Sequence, residues 1–264
     1  LEQRRHQAAQ ARAELNQHEG FDAGLLLRRA RAFHARGQIW EAALVLERLI
    51  ERHARAAECE LGFALWVRAL AEAGRSARLD TVVMRFLEAY PKSPHAAQAL
   101  TLAAQAAGDR GDRERQLRWL DQALELTPPP ELRETLLLLR ANALLAAGRH
   151  DEARTAAERV LEAFAQGQFA EEATYLRIMA GLLMGQPRRA LEELAAYRGR
   201  FPAGRFAADA RYREAAAHYA INESDQALVI LTDWLERHPP DHAQRGEVLS
   251  LQGDVWVALR REDE

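Results

Sequence analysis

Leu136–Phe164 reads LLLLRANALLAAGRHDEARTAAERVLEAF. Two stretches rich in Ala, Leu, Arg and Glu flank Gly148. These four residues are strong helix formers. Glycine is the residue that most readily ends a helix in a left-handed conformation. The stretch therefore predicts a helical hairpin: about 16 residues of a helix A, a short turn at the glycine, then about 14 residues of a helix B.

Outward from Gly148 the pattern repeats. Gly37, Gly74, Gly111, Gly148 and Gly185 stand 37 residues apart, and Asn222 takes the next step. Asn is the second choice for a left-handed helix end. A second marker keeps the same register at Pro91, Pro128, Pro202 and Pro239, with Ala165 in the gap. Proline lacks an N–H and clashes with the preceding turn, so it stops helix B. A third marker is apolar: Ile50, Leu87, Leu124, Leu161 and Leu235, broken once by Arg198. Three markers in one register define an internal repeat. Five positions after the glycine come Ala42, Ala153, Ala190 and Ala227, small enough for helix B to approach helix A closely. Leu79 and Gln116 hold that position in the second and third repeats and predict looser packing there.

No alternating β-branched pattern competes with this reading. A lone hairpin cannot bury its apolar face, and stacked neighbours can. The fold class is therefore all-α, a solenoid of about six full hairpins. They are expected over 21–53, 57–89, 94–126, 131–164, 168–200 and 204–237, with half repeats at 1–19 and 241–264, all as a single array over 1–264.

The spacing resembles the tetratricopeptide repeat, lengthened from its usual 34 residues by the loop between hairpins. The family's small residue in mid helix A is matched by Ala30, Ala104, Ala141, Ala215 and Gly253, and its small residue early in helix B by the four alanines above. Val67 and Ile178 depart from the pattern and predict wider helix spacing. The resemblance covers essentially the whole chain and implies a right-handed superhelix of the α-α type. A narrower likeness lies in the loops. RFLEAYPKSPHAAQA (Arg85–Ala99) and YRGRFPAGRFAADA (Tyr197–Ala210) share an aromatic–Pro–x–small–x–x–Ala pattern, and DWLERHPPDHAQ (Asp233–Gln244) is a weaker copy. This is similar to the tetratricopeptide subclass of bacterial cell-envelope proteins: outer-membrane assembly lipoproteins, the Tol–Pal coordinator and polysaccharide export scaffolds. It implies a periplasmic or envelope location, with the cytoplasm as the alternative.

Composition bounds the function. Lys+Arg 36 against Asp+Glu 39 leaves a formal net charge of -3. That balance argues against a dedicated nucleic-acid binder, which must neutralise phosphates. No run approaches the ~18 apolar residues of a membrane span. Cys59 is the single cysteine, so neither an internal disulfide nor a thiolate zinc site is available. It opens a helix A, where a helix N-terminus would lower its pKa; a small buried apolar role is the plainer reading.

The chain begins at Leu1 without Met. It is expected to be part of a longer protein. Leu1–Glu19 reads as a helix B without its helix A. Asp241–Leu259 reads as a helix A capped by Asp241, and Arg260–Glu264 as the start of the next turn. Apolar Val255, Trp256 and Leu259 would then lack a partner helix, which leaves room for self-association through uncapped ends.

No motif of catalysis is present: no GxGxxG after a strand, P-loop, GxSxG elbow or HExxH. His238 and His242 have a ligand-like spacing of four, but Pro239 and Pro240 interrupt any helix between them. Neither an enzyme, a cofactor nor a metal is expected. Carrying the family's groove positions over by register, the resemblance implies a partner-binding surface on helices A. Its candidates are Arg31, His34, Arg68, Gln105, Asn142, Tyr175, Met179, Tyr212 and Tyr219. The three tyrosines suit packing between hairpins equally well; as groove residues, Tyr175→Ala with Tyr212→Ala would weaken partner binding without unfolding the array. The Lys and Asn set of the carboxylate-clamp subtype is missing: Leu27, Arg31, Ala64, Arg68, Thr101 and Gln105 stand there, although Arg31 and Arg68 together suit one carboxylate. The functional expectation is a non-catalytic scaffold holding a protein or peptide partner. The alternative is a regulatory or targeting module of a larger enzyme or transcription regulator.

Overall fold

The computed structural model describes residues 22–74 and 76–259. Among these residues there are thirteen helices and no strand. Helix A of each repeat is odd-numbered and helix B even-numbered. The first three pairs are α1 (22–35) with α2 (Ile39–Arg52), α3 (Glu58–Glu72) with α4 (Ser76–Ala89), and α5 (Ala96–Asp109) with α6 (Arg113–Glu125). Then come α7 (Pro130–Ala146) with α8 (His150–Ala163), α9 (Ala170–Leu183) with α10 (Pro187–Arg200), and α11 (Ala207–Ala220) with α12 (Ser224–Arg237), followed by α13 (Arg245–Ala258). The fold is the all-α, helical-hairpin solenoid class that the period implies. The expectations for Leu1–Glu19 and Arg260–Glu264 fall outside the described residues.

The repeat markers act as their chemistry requires. Gly37, Gly74, Gly111, Gly148 and Gly185 all have φ between 66 and 77°, and Asn222 follows at 63°. Gly37, Gly111, Gly148, Gly185 and Asn222 each close helix A by a pair of backbone bonds, and at Gly74 the first of the pair, its N–H to Ala71 O at 3.0 Å, is described. At Gly148 its own N–H reaches Leu145 O at 3.0 Å and the next N–H, of Arg149, reaches back to Leu144 O at 3.0 Å. That is the Schellman closure. Helices α4, α10 and α12 end two residues before Pro91, Pro202 and Pro239. The residue between, Tyr90, Phe201 or His238, still donates its N–H to the carbonyl four positions back.

The chain divides into two compact units, the first ending at Leu136 and the second beginning at Leu137, inside α7. In the first, α3 packs on α2, α4 and α5, and α5 on α4 and α6. Trp66 and Phe86 are fully buried there, and Phe63 stacks on Phe86 at 5.5 Å. In the second, each helix from α8 to α13 packs on its sequence neighbour, with a minor α11–α13 contact. Trp234 and Tyr197 anchor its interior.

Several local expectations are corrected. Leu79 and Gln116 do not leave loose interfaces: both are buried. Gln116 fits because Gly108 faces it on α5, where a Cβ would lie 2.6 Å from its Nε2. Where Val67 and Ile178 replace the small residue, close approach moves to another glycine. A Cβ on Gly62 would meet Leu49 at 2.8 Å, and one on Gly181 would meet Arg154 at 2.9 Å. Asp241 is not a cap. Turns at His242 N–H to Pro239 O and Arg245 N–H to His242 O occupy the start of the segment, so α13 begins only at Arg245.

Candidate partner-binding site

Helix A positions one repeat apart occupy the same place on successive hairpins, so their side chains are brought side by side. In the first unit this gathers a cleft of about 200 Å³. Arg31 comes from α1, Leu61, Ala64, Leu65 and Arg68 from α3, and Gln98, Ala99 and Leu102 from α5, with His95 at the rim. Arg31 and Arg68 are exposed, and neither forms an ion pair among the described residues. Leu61, 40% exposed, gives the floor an apolar strip open to solvent. His34 lies at the C-terminal end of α1 and is engaged: its Nε2 is 2.9 Å from Glu72 Oε2. Gln105 is exposed on α5, outside the lining of the cleft.

In the second unit the candidates are more committed to structure. Asn142 on α7 donates to Glu172 on α9 at 3.2 Å. Tyr175 is 8% exposed and its ring stacks on Phe206 at 4.6 Å. It is therefore an interior residue between hairpins, and Tyr175→Ala would be read in stability before binding. Met179 is half-buried against the same cluster. Tyr212 and Tyr219 are half-buried against the Trp234 cluster, and burial raises the Tyr212 pKa.

Below Tyr175 lies an anchor the sequence reading missed. Glu171 Oε1 accepts from the Tyr197 hydroxyl at 2.6 Å and from the Phe206 N–H at 3.2 Å. Burial first, and then the Glu171 carboxylate, push the Tyr197 pKa upward. The neighbour of Glu171, Glu172, has a different task, accepting from Asn142, as adjacent residues on a helix do not face each other. Arg154, 7% exposed at its side chain, is a second buried charge, held by Glu193 at 2.5 Å and by Arg177 O at 3.2 Å.

A larger cavity, about 430 Å³, lies between the α10 and α12 ends and includes Phe201, Trp234 and His238. Its charges are already paired: Arg198 and Arg211 with Glu214 at 3.0 and 2.9 Å, and Arg237 with Asp233 at 2.6 Å. Size alone does not make it the better site, because a ligand there would have to break existing pairs. His238 stacks on Trp234 at 4.0 Å and His242 meets the same ring edge-on at 4.9 Å, a packing role for both.

Cys59 is 1% exposed, its thiol donates to His53 O at 2.9 Å, and burial raises its pKa, opposite to an activated thiolate. Among the described residues no group of three His, Cys, Asp or Glu is placed to hold a metal, and no helix is long and apolar enough to cross a membrane.

Residues 135–167, which run from α7 through α8, match the sequence profile of the tetratricopeptide repeat. That hairpin carries the match, and the others repeat its architecture. Solved structures agree on the fold. A tetratricopeptide repeat protein from Parabacteroides merdae superposes with a TM-score of 0.64 at 12% identity, covering 92% of this chain and 93% of that one. YrrB, a tetratricopeptide protein with an unusual peptide-binding site, gives 0.57 at 17% identity over 83% of this chain and 98% of its own. MamA gives 0.58 at 12% identity over 68% and 92%. No curated protein sequence matches the chain. At these identities the likeness carries the fold and nothing finer.

Proposed function

We propose that this tetratricopeptide array is a non-catalytic scaffold that holds a segment of a partner protein against its helices A, within a bacterial cell-envelope assembly or export machine. The observation that carries the scaffold reading is the α1/α3/α5 cleft, lined by leucines and by two exposed arginines that form no ion pair among the described residues. Unpaired Arg beside exposed leucine is the composition of an interaction surface. The peptide-binding site named for YrrB shows that this fold accommodates such a role. The envelope reading is supported by the loop pattern at Tyr90–Ala96 and Phe201–Ala207, and the compartment proposed with it is the periplasm.

A photo-crosslinker at Gln105, exposed on α5 and a groove position by the family's register, and another at Arg118, exposed on α6, test the reading in native cells. A specific partner adduct is expected from Gln105 and not from Arg118. Adducts from neither position, or equally from both, would remove the scaffold reading. Fractionation of the same cells tests the compartment: recovery in the cytosol would favour the regulatory or targeting module of a larger protein.

A further inference from the structure

We propose that ion pairs between successive helices B of the first unit form a salt-sensitive latch that sets the width of the α1/α3/α5 cleft. The use of the cleft rests on the scaffold reading; the latch assigns what controls its opening.

The geometry begins with which helices touch. In the first unit α3 packs on α5, whereas no comparable packing joins α2 to α4 or α4 to α6. Helices A therefore meet through their surfaces, and helices B stand apart. Charged side chains cross the gap. Arg78 on α4 reaches back to Glu47 on α2, and Arg115 on α6 reaches back to Asp80 on α4 at 3.0 Å. Arg78 and Arg115 stand one 37-residue step apart, so the same contact is made twice. Arg110, just past the end of α5, adds a second hold on Asp80 at 3.1 Å. Arg189, in the same register further along, pairs within its own helix, with Glu193 at 3.4 Å. The second unit's crossing from α8 to α10, Arg154 to Glu193, is buried at Arg154 and so is shielded from salt. Solvent-accessible crossings thus fall on the two joints that bound the α1/α3/α5 cleft.

Asp80 gives the latch two states. Its side chain is 13% exposed, and its Oδ2 takes both arginines. Its Oδ1 is buried with no hydrogen-bond partner among the described residues. Such a carboxylate is tolerable while the arginines hold it and costly once they let go. Released, it must reach water, and it does so when α6 swings away from α4. The α3–α5 contact stays closed and acts as the pivot. Parting the helices B then tilts the helices A together and narrows the cleft on the other side. Half-exposed ion pairs are weak singly and are screened by salt. A weak latch suffices, because turning one hairpin against the next changes a single interface and melts no helix.

The test is pulsed electron–electron distance measurement on the full chain in a Cys59→Ser background, which keeps a donor for His53 O. One nitroxide pair goes at Thr81 and Arg118, exposed and equivalent positions on α4 and α6; a second, at Arg68 and Gln105, reads the cleft side. Asp80→Asn should lengthen the first distance by about 2 Å, the scale of helix shifts at an interface, and shorten the second. With Asp80 intact, about 1 M salt should move both distances the same way, and Asp80→Asn should remove most of that response. Should Asp80→Asn lose helical signal, R110Q/R115Q, at the more exposed partners, reads the same shift. Unchanged distances in a folded variant, or a salt response that survives Asp80→Asn in full, would overturn the proposal. So would lengthening of both distances together, which is loosening without a pivot. If the distances stay fixed while the Gln105 adduct forms, only the latch falls. If they move and no adduct forms, the latch stands as a property of the fold and the scaffold reading falls.

Discussion

At Gly148 the backbone sits at φ 73°, and a Cβ placed there would meet nothing within 4 Å. The demand for glycine is therefore conformational, with no steric part. Gly148→Ala should cost about 1 kcal/mol, the left-handed penalty of an L-residue. Gly148→Asn should cost clearly less, because Asn tolerates this region and Asn222 already occupies it at φ 63° in the sixth repeat. Urea denaturation of the two variants checks this, and equal losses would show that φ is not what selects glycine here. Gly108 is the contrasting case. It is inside α5, where its lack of a Cβ makes room for Gln116, whose Oε1 accepts from Arg113 Nη1 at 3.0 Å. One residue type thus serves backbone conformation at one site and packing at the other.

Among elements, the joint between α9, α10 and α11 is held by polar chemistry as much as by apolar burial. Glu171 on α9 receives the Tyr197 hydroxyl from α10 and the Phe206 N–H from the N-terminus of α11. The approach is tight enough that a Cβ on Gly204 would overlap the Glu171 carboxylate. Tyr175 and Phe206 stack beside it, at 4.6 Å and 2° between planes. Tyr197→Phe keeps the ring and removes one bond to a charged acceptor, which should cost about 1.5–3 kcal/mol. Thermal or denaturant unfolding measures the loss. No change in stability would mean that the hydroxyl is as well satisfied by water, and that Glu171 is held through Phe206 alone. At this copy of the aromatic–Pro–x–small–x–x–Ala loop the aromatic before the proline closes helix B, and the turn after it delivers the Phe206 N–H to the preceding helix A; in the Tyr90 copy the equivalent His95 N–H stays within the loop, donating to Ser93 Oγ at 3.2 Å.

Within each unit, helices pack mainly on their neighbours in sequence, with α3 also on α5 and α11 on α13. Stability in such an array is close to a sum of local interfaces, so damage should stay local. Trp234 is fully buried, and its indole N–H donates to Ala208 O at 2.9 Å, joining α12 to α11. In Trp234→Ala, amide hydrogen exchange should quicken across α11–α13 and stay unchanged in α3–α5. Equal loss of protection in both regions would show a single cooperative unit instead. The same locality explains why binding is read here one cleft at a time: each helix A contributes to its own neighbourhood, and Arg31 and Arg68 meet only because adjacent repeats do.

The sequence by itself determined the repeat. A period of 37 in glycine, proline and leucine is a statement about backbone conformation and about one apolar stripe per helix, and both are local properties that a residue carries with it. Helix boundaries near Gly148 or Pro202 follow from φ and from a missing N–H, whatever surrounds them. Tertiary structure decided the rest. Tyr175 and Tyr212 look alike in sequence, yet Tyr175 is buried under Phe206 and Tyr212 is only half-covered, because burial depends on what the next hairpin places opposite. Gln116 fits only because Gly108 faces it from another helix. The register of Arg31 and Arg68 on helices A is legible in the sequence, but that neither forms an ion pair among the described residues is not, since an ion pair is a matter of distance between side chains on different elements. Periodicity records what each residue does to its own backbone; pairing, burial and free charge arise only when the hairpins meet.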